Sequence, residues 1–361
     1  MKVLAIYLPQ YHRIKENDEW WGEGYTEWTA VRSAHPCYKG HKQPRVPLNN
    51  NYYDLADQDA NTWKWQAELA KEYGVYGFCI YHYWFKTGKQ LMERPMEILL
   101  KHPEIDLNYC FCWANENWTR KWDGKEKLIL MEQEYGDEEE WERHFNYLLA
   151  FFMDSRYIKI ENKPMINIYH SADIDCLDKM ITCWNKLAKK NGFDGVYVVS
   201  GNTWAKLDNR KEIIDAYYNF EPLYTFRYKC NFFDHAFYKI TSLLRTGKNI
   251  IFRTKYLEKR VSSKMVVKSM SKPDRYVERP IFPGAYPQWD NTPRRGYKGI
   301  EYYGMDISLF KRQLDIAKYN YKNAEFIYVN AWNEWGESAY LEPDSQMKYS
   351  CLEVICNEFK K

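Results

Sequence analysis

The apolar positions of this chain fall into short unbroken runs that do not alternate with polar ones. Residues 3–8 (VLAIYL), 75–81 (VYGFCIY), 109–113 (YCFCW), 164–169 (PMINIY), 195–200 (GVYVVS), 216–220 (AYYNF), 281–286 and 326–330 (FIYVN) each read as a strand. Between them the spacing predicts helices over 54–73, 89–100, 141–152, 174–191 and 307–321. Gly74 closes the first, and the acidic run 137–140 opens the third at the positive end of its dipole. Strands without alternation are buried on both faces, as in a parallel sheet covered by helices. Eight such units predict an α/β fold: a single (β/α)8 TIM barrel over residues 1–361, with an insertion at 223–279 after the sixth strand. A doubly wound sheet would carry a Gly-rich phosphate loop after the first strand, and residues 8–12 (LPQYH) contain no glycine.

Composition narrows the class. The 361 residues are 45% hydrophobic and 28% charged, which excludes a disordered chain. Aromatics reach 18%, with 15 Trp and 32 Tyr; a groove that stacks sugar rings or an aromatic-rich core accounts for the excess equally well. No apolar run approaches the roughly 20 residues of a spanning helix. The apolar start at 1–8 is too short for a secretory signal. Nine Cys without paired spacing read as reduced thiols, so the expected location is cytoplasmic, peripheral to the inner membrane. Cys110 and Cys112 share a strand face but lack His or Cys partners, and neither a metal nor a cofactor is expected. The net charge of +3 is unevenly placed. Residues 223–279 carry 14 Lys and Arg against four acids, a net +10 that leaves −7 elsewhere. That asymmetry predicts an anionic partner, here peripheral contact with an anionic membrane through 223–279, with no nucleic acid partner.

Barrel chemistry sits in the loops after the strands' C-terminal ends. There the sequence combines Trp and Tyr with Asn, Asp, Glu, His or Arg at five of eight strands, a ring suited to sugar hydroxyls and C–H faces. The substrate-binding candidates are Tyr7, His12 and Trp28 from the first unit, and Tyr81, His82 and Trp84 from the second. Trp113, Asn115, Glu116 and Trp118 follow the third strand, Asp290 and Asn291 the seventh, Asn333 and Trp335 the eighth. His12 and His82 read as hydrogen-bonding groups toward a ligand. Arg294 and Arg295 suit a phosphate or uronate carboxylate, and equally a solvated loop.

The most specific signal is Trp332-Asn333-Glu334-Trp335-Gly336-Glu337. If this segment turns helically, Glu334 and Glu337 lie on one face with Cβ atoms roughly 5–6 Å apart. Carboxyl groups about 5–5.5 Å apart are the spacing of retaining glycosidases. Neighbouring indoles would split their proton affinities, leaving one as an acid. Glu116 ranks next as a catalytic carboxylate and Asp290 third.

At these residues the chain resembles the WbsX-like polysaccharide-biosynthesis family. The runs AIYLPQYH, ENDEWWGEGYTEW, GFCIYHYWF, FCWANENWTRKWDG, Asp290-Asn291-Thr292-Pro293-Arg294-Arg295 and NAWNEWGESAYLEPD carry the resemblance from Ala5 to Asp344. That family is associated with O-antigen and capsule synthesis, is usually labelled glycosyltransferase, and is similar to the family-99 glycoside hydrolases, endo-α-mannosidases and endo-α-mannanases on metal-independent (β/α)8 barrels. The resemblance implies that Glu334 acts as base toward a substrate 2-hydroxyl and Glu337 as acid/base at the glycosidic oxygen. It departs at Gly336 and Ser338, where the hydrolases commonly have His and Gly. Three readings follow: a retaining glycosidase or transglycosidase on α-manno- or α-rhamno-type glycosides, a glycosyltransferase with an activated sugar donor, and a non-catalytic glycan-binding barrel. The last would tolerate a Glu337 turned away from the pocket or locked in a salt bridge.

Overall fold

The computed structural model describes residues 1–120, 125–274 and 278–360. The tail of the third-strand motif, 121–124, and residues 275–277 of the basic stretch lie outside the described residues. Among the described residues, nine parallel strands form the central sheet. They are β1 (Lys2–Tyr7), β2 (Val75–Trp84), β3 (Asn108–Trp113), β4 (Lys163–Ile168), β5 (Tyr197–Asn202), β6 (Ala216–Asn219), β7 (Ile281–Phe282), β8 (Gly284–Ala285) and β9 (Phe326–Val329). Each of β1 to β6 pairs with the next, β6 pairs with β7, and β1 returns to β9, which pairs with β8. β7 and β8 are two halves of the expected seventh strand, interrupted at Pro283, and together they bring the sheet round to near closure. Gly284 makes this possible. A Cβ there would stand 2.0 Å from the Asn219 carbonyl oxygen of β6.

The loop after β1 holds two short helices, α1 (Lys15–Trp21) and α2 (Glu27–Ser33). The outer layer comprises α3 (Asn61–Glu72), α4 (Arg94–Lys101), α5 (Glu138–Phe152), α6 (Leu177–Lys190), α7 (Phe232–Ile251) and α8 (Ser263–Met270). A single turn, α9 (Thr292–Arg295), precedes α10 (Ile307–Asn320) and α11 (Ser350–Phe359). Two helices start later than the periodicity suggested. Asp54 and Asp57 accept hydrogen bonds from the backbone of Ala56, Asp59 and Asn61, so 54–60 is a set of turns that delays α3. Residues 90–91 add an antiparallel rung to the end of β2, and α4 begins only beside Pro95. A loop at 203–215 replaces a helix between β5 and β6.

The barrel interior is filled, not open. Tyr218 stacks on Tyr328 with ring centroids 4.6 Å apart. The Tyr328 hydroxyl donates to Asn167 Oδ1 at 2.7 Å, and Asn167 donates to the Phe111 carbonyl at 2.9 Å. These buried polar groups satisfy one another, so they support the core instead of weakening it. Cys110 and Cys112 are buried in β3, and none of the nine cysteines is in a disulfide.

Within 223–279 the second half is built into the barrel. Lys259–Ser262 pairs in parallel with Ile300–Tyr303, and α8 buries Val266, Val267 and Met270 against the layer that holds α10. Residues 231–258, mostly α7, stand outside it, and α7 has no buried residue.

Candidate active site

The loops after the strands enclose a cleft of about 500 Å3 at the barrel mouth. Tyr81, Tyr83, Trp118, Tyr169, Trp204, Phe220 and Trp289 supply its aromatic lining, and Glu116, Asn117, Asn291, Arg294, Arg295, Glu334 and Glu337 its polar groups. This size and this mixture suit a ligand of a few rings with many hydroxyls.

The motif after β9 shapes one end of the cleft. Asn333–Glu334 pairs antiparallel with Ala339–Tyr340, and Trp335–Glu337 forms one 3-10 turn between them. The geometry is therefore a tight hairpin and not the expected helical segment, yet a 3-10 turn also brings residues three apart into near eclipse. Asn333 fixes the hairpin by exchanging hydrogen bonds with Leu8, donating to its carbonyl at 3.0 Å and accepting from its N–H at 2.8 Å. Trp335 packs flat on Tyr340, and its indole donates to Glu342 at 2.6 Å.

One guanidinium gathers three carboxylates. Arg294 meets Glu334 Oε2 at 2.6 Å through Nη2, Glu337 Oε1 at 2.9 Å through Nη1 and Glu27 Oε1 at 2.6 Å through Nε. Trp289 donates its indole N–H to Glu337 Oε2 at 2.8 Å. Glu334 is only 6% exposed, whereas the Glu337 side chain keeps 22% of its surface open to the cleft. Burial pushes the Glu334 carboxyl up to about 8; Arg294 opposes this, while Glu337 and Glu27 reinforce it. Burial likewise raises Glu27, against the pull of Arg294. Three acids around one cation thus favour retention of a proton within the group at neutral pH. Gly336 explains the departure from the hydrolase motif, since a Cβ at 336 would lie 1.7 Å from Glu27 Oε1 and 2.7 Å from Arg294 Nε. The missing side chain is the space that the Glu27–Arg294 pair occupies.

Of the predicted residues, Tyr81, Glu116, Trp118, Asn291, Glu334 and Glu337 line the cleft. The others are placed elsewhere, for definite reasons. Tyr7 points outward from β1, sandwiched between Trp63 and Phe78 with its hydroxyl on Gln66. His12 is buried with Nδ1 3.0 Å from the Pro9 carbonyl, and burial lowers it to about 4. Trp28 packs among Tyr11, Tyr52, Tyr53 and Trp335 and donates to the Tyr53 carbonyl. His82, Trp84 and Trp113 face α5: His82 Nε2 sits 2.9 Å from His144 Nε2, Trp84 stacks on His144, and Trp113 meets it edge-on. Burial drives His82 down to about 3, so it is a neutral core histidine.

Asn115 ties two loops together through the backbone of His170. Asn333 and Trp335 are part of the hairpin that carries the carboxylates. Asp290 is held behind the cleft by His41 at 2.9 Å and Gln43 at 2.6 Å, and its other oxygen accepts from Thr292 N–H at the start of α9. Burial raises Asp290, but the His41 hydrogen bond and charge, with Gln43, outweigh it and hold the carboxyl below its ordinary value. Asp290 therefore holds the start of the turn that carries Arg294. The sequence assigned no site role to Tyr83, Tyr169, Trp204, Phe220, Trp289 or Glu27. Tyr83, Trp289 and Glu27 lie inside the aromatic strand-end runs, but nothing in the sequence pairs Glu27 with Glu334.

The Glycosyltransferase WbsX family matches residues 3–355. Two relatives named Uncharacterized protein WxcX, from strains of Xanthomonas campestris pv. campestris, are each 30% identical over 98% of this chain and 48% of their own length. The chain spans about half the length of these curated relatives. Among solved structures, a "Glycoside hydrolase-like protein" aligns over 100% of this chain and 94% of its own with a TM-score of 0.60 at 12% identity. The GH99 endo-alpha-mannosidase from Bacteroides thetaiotaomicron aligns over 98% and 95% with a TM-score of 0.58, also at 12% identity. At that identity the likeness concerns the fold, a TIM barrel.

Proposed function

The chain belongs to the Glycosyltransferase WbsX family of carbohydrate-active enzymes, and we propose that it is a retaining glycosidase or transglycosidase acting on α-manno- or α-rhamno-type linkages of surface polysaccharides. The observation that carries this reading is the convergence of Glu334 and Glu337 on one aromatic-lined cleft, both held by Arg294. In such sugars O2 lies trans to the leaving group. The proton that burial keeps on Glu334 in the free site passes to Glu337 as substrate binds; ionised Glu334 then takes the proton of the 2-hydroxyl as O2 attacks C1, and Glu337 delivers its proton to the departing glycosidic oxygen. The 1,2-anhydro sugar then opens when water or a sugar hydroxyl attacks C1. Glu337 recovers a proton from that nucleophile and Glu334 returns one to O2. Two inversions leave the anomeric configuration unchanged. Arg294 suits this cycle, because it stays cationic while the negative charge moves between its partners.

A transferase reading with an activated donor draws on a different observation. Lys255, Lys259, Arg295 and Lys298 line a second cavity of about 440 Å3, and Arg295 lines the cleft as well, so a diphosphate would find cations beside the site. The glycan-binding reading shares only the ion pair of Glu337, whose carboxylate nonetheless faces the cleft. Such an enzyme would work in the cytoplasm or at the inner face of the inner membrane.

Product analysis separates these readings. Purified protein, Glu334→Gln and Glu337→Gln are incubated with α-mannosyl and α-rhamnosyl oligosaccharides, with and without nucleotide-sugars. Cleavage or rearrangement without nucleotide, reduced more than about 100-fold in both variants, is expected. Extension only in the presence of nucleotide-sugar, and surviving either substitution, overturns the assignment of the carboxylate pair.

A further inference from the structure

Helix α7 is amphipathic in the reverse sense to a core helix. Its apolar residues Phe233, Phe237, Ile240, Leu244 and Ile251 recur at helical spacing, with Leu243 beside them, and all face solvent. Phe233 is 78% exposed, Leu243 70% and Ile251 75%. The polar side is the one that meets the protein. Arg245 donates to the Glu258 carbonyl at 3.1 Å, Thr246 to the Glu258 carboxylate at 2.8 Å, and Asn249 to the Tyr256 carbonyl at 2.9 Å. Tyr238 anchors the helix against Phe226, in the small cluster that includes Trp289. A monomer would leave this much contiguous apolar surface in water only if something covers it.

Charge identifies the cover. At 100° per residue, Lys239 and Lys248 fall at the two borders of the apolar stripe, one on each side. Exposed Arg253, Lys255 and Lys259 continue the cationic surface past the end of the helix. The two acids of this segment are turned away, Asp234 into the capping box with Asn231 and Glu258 onto Thr246 and Asn249. A protein partner would call for borders of mixed sign or few lysines. An apolar stripe between lysines, with no opposing acid, is the pattern of a helix lying in a bilayer interface, with its lysine stems buried and ammonium groups at the phosphates. Among the described residues, no helix is long and apolar enough to cross a membrane, so contact through α7 is in-plane. We propose that α7 docks this chain on an anionic bilayer surface. The basic cavity around Lys255, Lys259 and Arg295 then continues from the headgroups to the mouth of the cleft. This inference concerns location and stands apart from the reaction assigned above.

The test is co-sedimentation of the whole chain with vesicles of phosphatidylcholine, alone or with an equal part of phosphatidylglycerol. Wild type is expected to sediment with the anionic vesicles and to release in high salt. Leu243→Ser with Leu244→Ser weakens that partition by more than about tenfold, and Lys239→Glu with Lys248→Glu by about tenfold at low salt. Both pairs are solvent-facing, so unchanged circular dichroism and melting are expected alongside. Failure to sediment with either vesicle, or binding that survives Leu243→Ser with Leu244→Ser, overturns the proposal. So does a wild-type dimer, seen by analytical ultracentrifugation, that the Leu variants split while no vesicle binding occurs; the face is then an interface between two copies.

Discussion

At the scale of single residues, the site is governed by a surplus of carboxylates. Glu27, Glu334 and Glu337 share one guanidinium, and the proton retained by the group is the one the proposed reaction delivers to the leaving group. A coupled pair titrates as a unit, so activity requires the singly protonated pair and is lost once that proton leaves. With Glu334 pushed up to about 8, kcat/KM is expected to fall as pH rises through about 8. Glu27 is one cause of that elevation. Glu27→Gln keeps an oxygen for Arg294 Nε but removes a negative neighbour, so the alkaline limb is expected to move to lower pH. A pH–rate profile of the two proteins checks this. A limb that stays in place, or moves to higher pH, rules out Glu27 as a source of the raised proton affinity. Gly336 belongs to the same arrangement, because any larger residue would take the volume in which Glu27 and Arg294 meet.

At the scale of elements, the periodicity of a strand decides which residues reach the cleft. In β2, Tyr81 and Tyr83 line the mouth, while the intervening His82 and the following Trp84 point the other way, onto α5. The prediction is a double dissociation. Tyr81→Phe, which keeps the buried ring and removes only the hydroxyl, is expected to raise KM or lower kcat/KM by about tenfold with little change in melting. His82→Ala is expected to cost about 2–3 kcal/mol of stability, with kcat/KM nearly intact at a temperature where the variant is folded. Thermal melts and steady-state kinetics on both variants test it. A His82→Ala protein that melts like wild type but has lost its activity would restore His82 to the site.

The same alternation explains what could be read in advance. The eight strands, and with them the barrel, were legible because apolar runs of this length between helical segments have few other solutions. The carboxylate pair was legible because its spacing and indoles are carried by one contiguous hexapeptide. The inward or outward sense of a strand was not. With both faces buried, no polar-apolar alternation marks which Tyr, Trp or His faces the interior. Tyr7, His82, Trp84 and Trp113 were therefore grouped with Tyr81 although they pack against helices. Glu27 was hidden for another reason: its distance from Glu334 in sequence is closed only by α2 packing on α9 and on the 3-10 turn.

At the scale of the whole molecule, buried titratable groups set how stability depends on pH. Burial raises Glu221, Glu342 and Glu334 to about 7, 7 and 8, so the folded chain holds protons that the unfolded chain gives up above its ordinary carboxyl value. Burial lowers His12 and His82 to about 4 and 3, and His144 well below its usual value, so there the unfolded chain binds protons that the folded one refuses. The two sets act oppositely. Between about pH 4.5 and 6.5 both are active and largely offset each other. From about 6.5 to 8 the histidines are neutral in both states and only the carboxyls differ, so the folded state binds more protons and stability declines as pH rises. Below about 4.5 the histidines act alone at first. Carboxylates held low by neighbouring arginines, Asp154 with Arg156 and Asp208 with Arg210, then add their loss as they are protonated. The melting temperature is therefore expected to peak on the mildly acidic side of neutrality and to be lower at pH 8 than at pH 6. Glu221→Gln tests the cause. The hydroxyl and N–H of Thr225 both donate to the Glu221 carboxylate, an amide can accept from the N–H and donate to the hydroxyl, and no ionisation remains. This variant is expected to melt higher than wild type at pH 8 and to show a shallower decline between pH 6.5 and 8. Calorimetry across that range that finds equal slopes for the two proteins would remove Glu221 from the account of alkaline destabilisation.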